Sequence, residues 1–377
     1  MLAFFEAVLM LAGMIIGVGM FAIPFSFAAA GFWLGAFELI ILALAVLALH
    51  LLYGEIVLAT PRYHRLPGYI RIYLGSKAAG VAWVSTLVGT IGTLLAYIIV
   101  GSLFLQAIFG VMAPRMHGMG WAMALAGAVC AITFFPLRKE AAINGLLTIF
   151  EIGFIGTLSL WLLPDVSLPH FSGIYPTHLF MPYGVLLFAL AGASVIPDVA
   201  QLLRRNKRRT RLAIITGSAV PPVIYFLFAF GVVGVSGPAT SEEAIAGLGA
   251  VLGSSIVVWG SAAGLLAVLT SYIALSENFQ ALLTLDMGLR RRTAWIAASA
   301  IPFVVYLAGL QNFIAIISIV GIVAFAVDGT LFFLMGRKIR QQTQKPVSTG
   351  ISVSAVAGYV VGATIIIGVI AQLAHAW

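Results

Sequence analysis

Two stretches of small residues, each followed by an Ile-Pro pair, could supply chemistry from the backbone of this 377-residue chain. In the first, Pro24 follows Gly19 by five residues, and in the second, Pro197 follows Gly192 by five residues. Glycine and proline interrupt helices, and an interrupted helix leaves N–H and C=O groups without their helical partners. Such groups are costly in an apolar environment unless a polar partner meets them. The matched pair therefore predicts a ligand site made of backbone atoms.

The expected ligand follows from the direction of each interruption. After the first break, amides from Gly17 to Met20 would meet a carboxylate at the positive end of a helix dipole. Before the second break, carbonyls from Ala189 to Gly192 would meet an ammonium group, so a zwitterionic amino acid satisfies both. The alternative is that the glycines permit close helix packing and the prolines only kink the helices. The predicted substrate-binding residues at the breaks are Ile16, Gly17, Val18, Gly19, Met20, Ala189, Gly192, Ala193 and Ser194.

Four further side chains are candidates for binding substrate or protons. Tyr97 and Tyr272 could line the pocket, although facing lipid or packing between helices is the commoner role of such residues. Asp198 and Glu151 are the candidate proton carriers, because an ionisable group deep in an apolar segment is costly and tends to be functional. For Asp198 the alternative is a salt bridge to the arginine pair at positions 204 and 205.

The elements that would position these groups are membrane-spanning helices. Hydrophobic residues make up 62% of the chain, charged residues 8%, and the mean hydropathy is +1.11, which excludes a soluble domain. A bilayer core about 30 Å thick needs roughly 20 apolar residues per helix. We therefore predict an all-α, polytopic membrane protein with eleven spans. They cover residues 3–30, 32–59, 79–111, 119–136, 141–163, 181–203, 212–235, 254–284, 293–309, 312–335 and 350–375.

The distribution of basic residues predicts the orientation of the spans. With the N-terminus inside, every lysine and arginine except Arg115 falls in an inner connection, as the positive-inside rule requires. This places the C-terminus outside and favours the cytoplasmic (inner) membrane of a bacterium or archaeon. Topology also explains the net charge of +8 without a nucleic acid partner. The basic cluster at residues 204–211 could also bind anionic membrane lipids, although its topological role is the favoured explanation.

Motifs for other activities are missing from the sequence. There is neither a phosphate-binding loop nor an HExxH motif, so ATP-driven transport and zinc chemistry are not supported. The lone Cys130 excludes an intramolecular disulfide and a cysteine-based metal site. We expect no enzymatic activity and no cofactor beyond a coupling ion. The prediction is a secondary transporter of a small amino-acid-like substrate, with a non-transporting membrane scaffold or sensor as the alternative.

Several of these features together resemble a known family. The run from Gly13 to Pro24, Glu55 near the end of the second span, the Leu-Pro-Gly-Tyr stretch at residues 66–69 and the eleven-span plan are similar to the amino acid/auxin permease group. Its bacterial aromatic amino acid permeases, the tryptophan and tyrosine transporters, look closest. The resemblance implies the amino acid-polyamine-organocation superfamily and its LeuT-like fold, an inverted repeat of five plus five spans in which spans 1 and 6 are broken. It also implies inward symport of an amino acid with H⁺ or Na⁺.

The same resemblance implies a domain division. The chain would form one transmembrane transporter domain, with a first repeat at about residues 3–163 and a second at about 181–335. The helix at about 350–375 would lie outside the repeat. Access to a site at mid-membrane would alternate between the two sides.

A possible Na⁺ site also follows from the resemblance. Ala267, Thr270 and Ser271 match an Ala-x-x-Thr-Ser run of sodium-coupled members of this fold. In those members the run binds Na⁺ together with two carbonyls of span 1, which here match Gly13 and Ile16. The alternative is that both hydroxyls bond to carbonyls of their own helix. Span 5 has no lysine, which favours Na⁺, whereas the likeness to the aromatic permeases favours H⁺.

Overall fold

The structure, a computed structural model, describes residues 2–135, 140–285 and 287–343, together with residue 362. These residues form α-helices and short 3₁₀ turns, and none of them lies in a β-strand. The helices are α1 (Leu2–Ile15), α2 (Gly19–Ala30), α3 (Phe32–Ala59), α4 (Leu66–Leu74), α5 (Ser76–Phe109), α6 (Gly118–Thr133), α7 (Glu140–Leu162), α8 (Met181–Ala189), α9 (Ile196–Leu202), α10 (Lys207–Ser236), α11 (Gly249–Leu252), α12 (Ser254–Leu285), α13 (Arg291–Leu307) and α14 (Phe313–Thr343).

The helices follow the hydropathy pattern of the sequence. Seven helical segments of the described chain are long and apolar enough to cross a membrane, and the bent pair of α1 and α2 makes an eighth. α6 is a shorter apolar helix, and α13 has 17 residues. Each of the first ten predicted spans coincides with one of these helices or helix pairs. The predicted eleventh span, apart from residue 362, lies outside the described residues, so the count of eleven and the division into repeats stay predictions.

The largest differences from the predicted helices lie in α14, α10 and α4. α14 continues to Thr343, well beyond the predicted end of span 10, because the lysine and arginines that follow the apolar run are good helix formers and continue the helix. α10 begins at Lys207, earlier than predicted, because the side chain of Asn206 caps it by accepting from the Arg209 amide at 3.0 Å. The stretch at residues 66–69, predicted as a loop, begins the short helix α4.

Spans 1 and 6 each consist of two helices. α1 and α2 are separated by residues 16–18 and are bent by 54° relative to each other. α8 and α9 are separated by residues 190–195, of which Ala193–Val195 form a 3₁₀ turn. Pro197 lies in the first turn of α9, where backbone N–H groups have no acceptor within the helix, so the missing N–H of proline costs no helical hydrogen bond. Both interruptions thus lie at the small residues that the sequence singles out.

The interrupted helices lie in the centre of the packing. α1 packs against α7 and α10, α2 against α8, and α10 also against α3. In addition, α12 packs against α5, and α14 packs against α5 and α8. Buried residues of all these helices form one continuous apolar cluster. The breaks therefore lie among packed helices, which is where non-helical backbone is tolerated at membrane depth.

Candidate functional site

The first break presents three backbone amides without acceptors. The N–H groups of Gly17, Val18 and Gly19 donate to no described atom, whereas those of Met20 and Phe21 donate to the Gly17 and Val18 carbonyls at 3.1 and 3.2 Å. The free amides stand at the N-terminal end of α2, where the helix dipole is positive. Gly17 is only half-buried. This end of α2 therefore fits an anionic group such as a carboxylate.

The second break presents carbonyl groups without donors. The C=O groups of Leu190 and Ala191 follow the end of α8, and no described N–H or O–H group donates to them. These carbonyls extend the negative end of the α8 dipole. Ala193 and Ser194 lie in the following 3₁₀ turn, and both Ala191 and Ser194 are exposed. A donor such as an ammonium group can therefore reach this break.

The two breaks pack directly against each other. A Cβ atom added to Gly19 would lie 3.0 Å from the Cα atom of Ala189, and one added to Gly192 would overlap the side chain of Ile15. Ile16, between these contacts, is also buried. Close helix packing, the alternative role considered for the glycines, is thus found at Gly19 and Gly192. The same contacts bring the free amides and the free carbonyls to one place.

A tyrosine hydroxyl and an aromatic pair face Gly17. The nearest atom to a Cβ added there is the hydroxyl oxygen of Tyr97, at 3.8 Å, so packing does not require glycine at this position as it does at Gly19. The rings of Tyr97 and Tyr272 are stacked, with centroids 6.0 Å apart and an interplanar angle of 26°. The two predicted pocket tyrosines therefore do lie next to the first break.

The predicted Na⁺ ligands lie on α12 and at the end of α1. Thr270 donates to the Ala267 carbonyl at 3.0 Å, so two of the five predicted ligands are bonded to each other. Gly13 lies against α7, where an added Cβ would overlap the side chain of Thr148. The bond within α12 is the alternative considered for Thr270, and Na⁺ binding itself stays a prediction.

Glu151 is a buried carboxyl group beside these residues. Its side chain is 7% exposed on α7, and it forms neither a hydrogen bond nor an ion pair with any other described residue. Thr148, three residues earlier on the same face of α7, contacts Gly13 of α1, so this face is directed towards the first break. An unpaired carboxylate is costly at this depth, and protonation removes the cost.

Asp198, the other candidate proton carrier, is tied to a loop. It lies in the first turn of α9 and accepts a hydrogen bond from the hydroxyl of Tyr63 at 2.9 Å. Burial, reinforced by this bond, raises the pKa of Tyr63 to about 12. The salt-bridge alternative is not found, because neither Arg204 nor Arg205 forms an ion pair with Asp198. Arg205 instead donates to three carbonyls at the C-terminal end of α3, those of Val57, Leu58 and Thr60.

One residue at the breaks is not among those predicted from the sequence. Tyr225 of α10 is fully buried, and its hydroxyl lies 2.7 Å from the Ile15 carbonyl and 2.9 Å from the Ala189 carbonyl. The sequence signal for it is weak, consisting of one polar hydroxyl shortly after the Pro221-Pro222 pair in an apolar span. Its partners are distant in the sequence, so only the fold reveals its place.

Comparisons with known proteins agree with this geometry. The model of the tryptophan/tyrosine permease family matches residues 2–375. A search of curated proteins finds no match. Among solved structures, MhsT in complex with L-phenylalanine superimposes with a TM-score of 0.68 at 14% sequence identity, with 98% of each chain covered. Mhp1, a nucleobase-cation-symport-1 family transporter with bromovinylhydantoin bound, gives a TM-score of 0.67 at 13% identity, covering 98% of this chain and 91% of Mhp1.

The two kinds of comparison support different conclusions. At identities this low, the likeness to MhsT and Mhp1 shows the fold alone, and it confirms the predicted LeuT-like architecture. The family model covers nearly the whole chain and confirms the resemblance that the sequence indicates. This chain therefore belongs to the tryptophan/tyrosine permease family and is a multi-pass secondary transporter of amino acids.

Proposed function

We propose that the transporter binds an aromatic amino acid as a zwitterion between the two breaks. The observation that carries the proposal is the pairing of three free amides, at residues 17–19, with two free carbonyls, at residues 190 and 191, on segments that touch each other. The carboxylate would accept hydrogen bonds from the amides, and the ammonium group would donate to the carbonyls. Hydrogen bonds to charged groups contribute about 1.5–3 kcal/mol each, so loss of either charge from the ligand should remove most of the affinity.

The side chain of the substrate is proposed to be aromatic. The family assignment supports this, and so does the stacked pair of Tyr97 and Tyr272 beside Gly17, which offers ring surfaces for an aromatic ligand. MhsT, which shares the fold, has been solved with L-phenylalanine. Family membership also favours transport over the alternative of a membrane scaffold or sensor.

We further propose that the coupling cation is a proton carried by Glu151. This carboxyl group is buried and forms no ion pair with a described residue, and it lies on the face of α7 that contacts α1 next to the first break. The hydroxyl of Thr270 is already bonded to the Ala267 carbonyl, so binding of Na⁺ by these two groups would have to replace that bond. Coupling to Na⁺ at Gly13, Ile16, Ala267, Thr270 and Ser271 is the alternative that the experiments below distinguish.

A ligand series tests the zwitterion site. Thermal unfolding of the purified protein should be shifted upward by L-tryptophan, L-tyrosine or L-phenylalanine, because a ligand stabilises the folded state by RT ln(1 + [L]/Kd). The methyl ester and the desamino analogue of the best ligand each lack one charge and should give much smaller shifts. Equal stabilisation by the ester would remove the carboxylate from the site. No shift with any of the twenty amino acids, with or without Na⁺ and at two pH values, would refute the proposal.

Uptake into proteoliposomes tests the coupling ion. In sodium-free medium, an imposed pH gradient should drive accumulation of substrate, and Glu151→Gln should abolish that accumulation while leaving substrate exchange intact. Combined Thr270→Ala and Ser271→Ala substitutions should leave the response to pH unchanged. Uptake that requires Na⁺ and is lost in the double variant would establish the sodium alternative instead.

The proposed location is the cytoplasmic membrane of a bacterium or archaeon, with the N-terminus inside. The basic connections support this orientation. Single cysteines can test it in a Cys130→Ser background, since Ser172 and Lys207 are exposed residues on opposite sides of the predicted topology. In intact cells, an impermeant thiol reagent should label Ser172→Cys and spare Lys207→Cys, and the reverse pattern would invert the topology.

A further inference from the structure

Tyr225 joins the two breaks through one hydroxyl group. Its oxygen is 2.7 Å from the carbonyl of Ile15, the last residue of α1, and 2.9 Å from that of Ala189, the last residue of α8. We propose that Tyr225 is a positioning residue for the substrate's ammonium group, because its hydroxyl sets the distance between the carbonyl ends of these two half-helices. The inference rests on the proposed zwitterion site and adds to it a residue from a third element, α10.

Both carbonyls depend on this hydroxyl. In an unbroken helix each would accept from an amide four residues later, but no described backbone N–H donates to either of them. Each also stands at the negative end of a helix dipole, in a helix of 14 residues for α1 and nine for α8. Two such ends repel each other, and a buried carbonyl without a donor is costly. The hydroxyl hydrogen of Tyr225 offsets both the repulsion between the helix ends and the cost of the unpaired carbonyls.

One hydroxyl hydrogen does not fully satisfy two carbonyls. A phenol carries a single hydrogen, so the carbonyls of Ile15 and Ala189 share it and remain one donor short. The free carbonyls of Leu190 and Ala191 follow Ala189 directly in the chain, so their positions depend on where Ala189 is held. An ammonium group supplies the donors that this break lacks, at the spacing that Tyr225 imposes.

Packing holds the hydroxyl in place and keeps it away from the ligand. A Cβ added to Gly217 of α10 would lie 3.0 Å from the side chain of Leu11 in α1. Phe228 of α10 meets Phe21 of α2 edge to face, with centroids 6.2 Å apart. Tyr225, between these contacts, has no exposed surface. Its influence on the substrate must therefore pass through the carbonyls that it holds.

The test is Tyr225→Phe, which removes the hydroxyl and keeps the ring. The matched control is Tyr53→Phe, because Tyr53 is also buried but its hydroxyl has no hydrogen-bond partner among the described residues. Kd values are measured for the best aromatic amino acid and, by competition, for its desamino analogue, which lacks the ammonium group. Tyr225→Phe should weaken binding of the amino acid about tenfold, the equivalent of one hydrogen bond, and change that of the analogue by less than about twofold. Tyr53→Phe should change neither.

Two outcomes would overturn the inference. Equal losses for the amino acid and its analogue would make Tyr225 an ordinary packing residue, and no loss for either would make its hydroxyl dispensable. If Tyr225→Phe does not fold, 3,5-difluorotyrosine introduced at position 225 keeps the hydroxyl and makes it a stronger donor. The ratio of the two Kd values should then shift, and an unchanged ratio would refute the role. Failure of the unmodified protein to bind any amino acid would instead refute the proposed function.

Discussion

Replacing Gly17 with alanine tests the carboxylate site with the smallest possible change. Within 4 Å of an added Cβ there is only the hydroxyl oxygen of Tyr97, at 3.8 Å, which is an ordinary contact distance. Gly17 is not among the residues with positive φ, so alanine fits its backbone. The folded protein should therefore accept the methyl group, with a free energy of unfolding within about 1 kcal/mol of the original.

The effect on binding should be much larger than the effect on folding. The methyl group would project towards Tyr97 from the segment that carries the three free amides. A carboxylate bound there would have to move away from at least one amide, which costs about 1.5–3 kcal/mol. Kd should therefore rise by about 10- to 150-fold. At a ligand concentration of 100 times the original Kd, a tenfold rise would lower the stabilisation by ligand from about 2.7 to about 1.4 kcal/mol.

Thermal unfolding with and without the aromatic amino acid measures both quantities. Gly153→Ala is the matched control, because no atom lies within 4 Å of a Cβ added at this exposed position of α7. Gly19→Ala is the opposite control, since its Cβ would press on the backbone of Ala189 and should lower stability even without ligand. If Gly17→Ala binds substrate with the original Kd, the carboxylate does not use this end of α2 and the reasoning from the free amides fails.

Three other substitutions have expected outcomes. Gly192→Leu should impair folding and binding far more than Gly153→Leu, because only the leucine at position 192 would meet a packed side chain. Equal effects of the two substitutions in binding assays would show that the second break is not part of the site. The pKa of Tyr63 is raised from 10.0 to about 12, so the neutral hydroxyl stabilises the fold below pH 10 and this contribution is lost as the pH rises towards 12. Tyr63→Phe should therefore make the decline of Tm between pH 10 and 12 less steep. Arg205→Ala should lower stability by about 2 kcal/mol through the loss of charged hydrogen bonds to the end of α3, whereas Arg208→Ala, at an exposed position, should have little effect.

The positions of the breaks can be predicted from the sequence because their causes are local. Glycine at positions 17 and 19 disfavours a continuous helix whatever packs around it, and Pro197 favours a helix start at α9. Pro24 lies inside α2 and does not mark the first break. The spans follow from hydropathy, because the bilayer excludes unpaired backbone and so requires apolar helices of a set length. Tyr97 and Tyr272 are candidates because they are aromatic residues in apolar spans, but their place beside the first break depends on how distant helices pack together, which local pattern does not show.

Long-range partners could not be predicted in this way. Tyr63 and Asp198 are 135 residues apart, and nothing in composition or periodicity pairs them. From its charge, Arg205 is predicted to lie in an inner connection, with the nearby Asp198 as a possible salt-bridge partner. The backbone of Arg205 instead adopts a φ of 56°, and its guanidinium group reaches the carbonyls at the end of α3. Tyr225 was missed for the same reason, because a buried hydroxyl is recognised only when its acceptors are in view.

The proposed coupling of proton and substrate needs no long pathway, because both sites touch the same helix end. Gly13 of α1 lies against Thr148, next to Glu151 on the same face of α7, and Ile15 of α1 shares the Tyr225 hydroxyl with α8. A ligand shifts a conformational equilibrium only by its difference in affinity for the two states. Linkage makes the effect reciprocal, so if protonation tightens substrate binding tenfold, bound substrate must tighten proton binding by the same factor. Substrate affinity that is independent of pH would therefore separate Glu151 from the substrate site, however close the two lie.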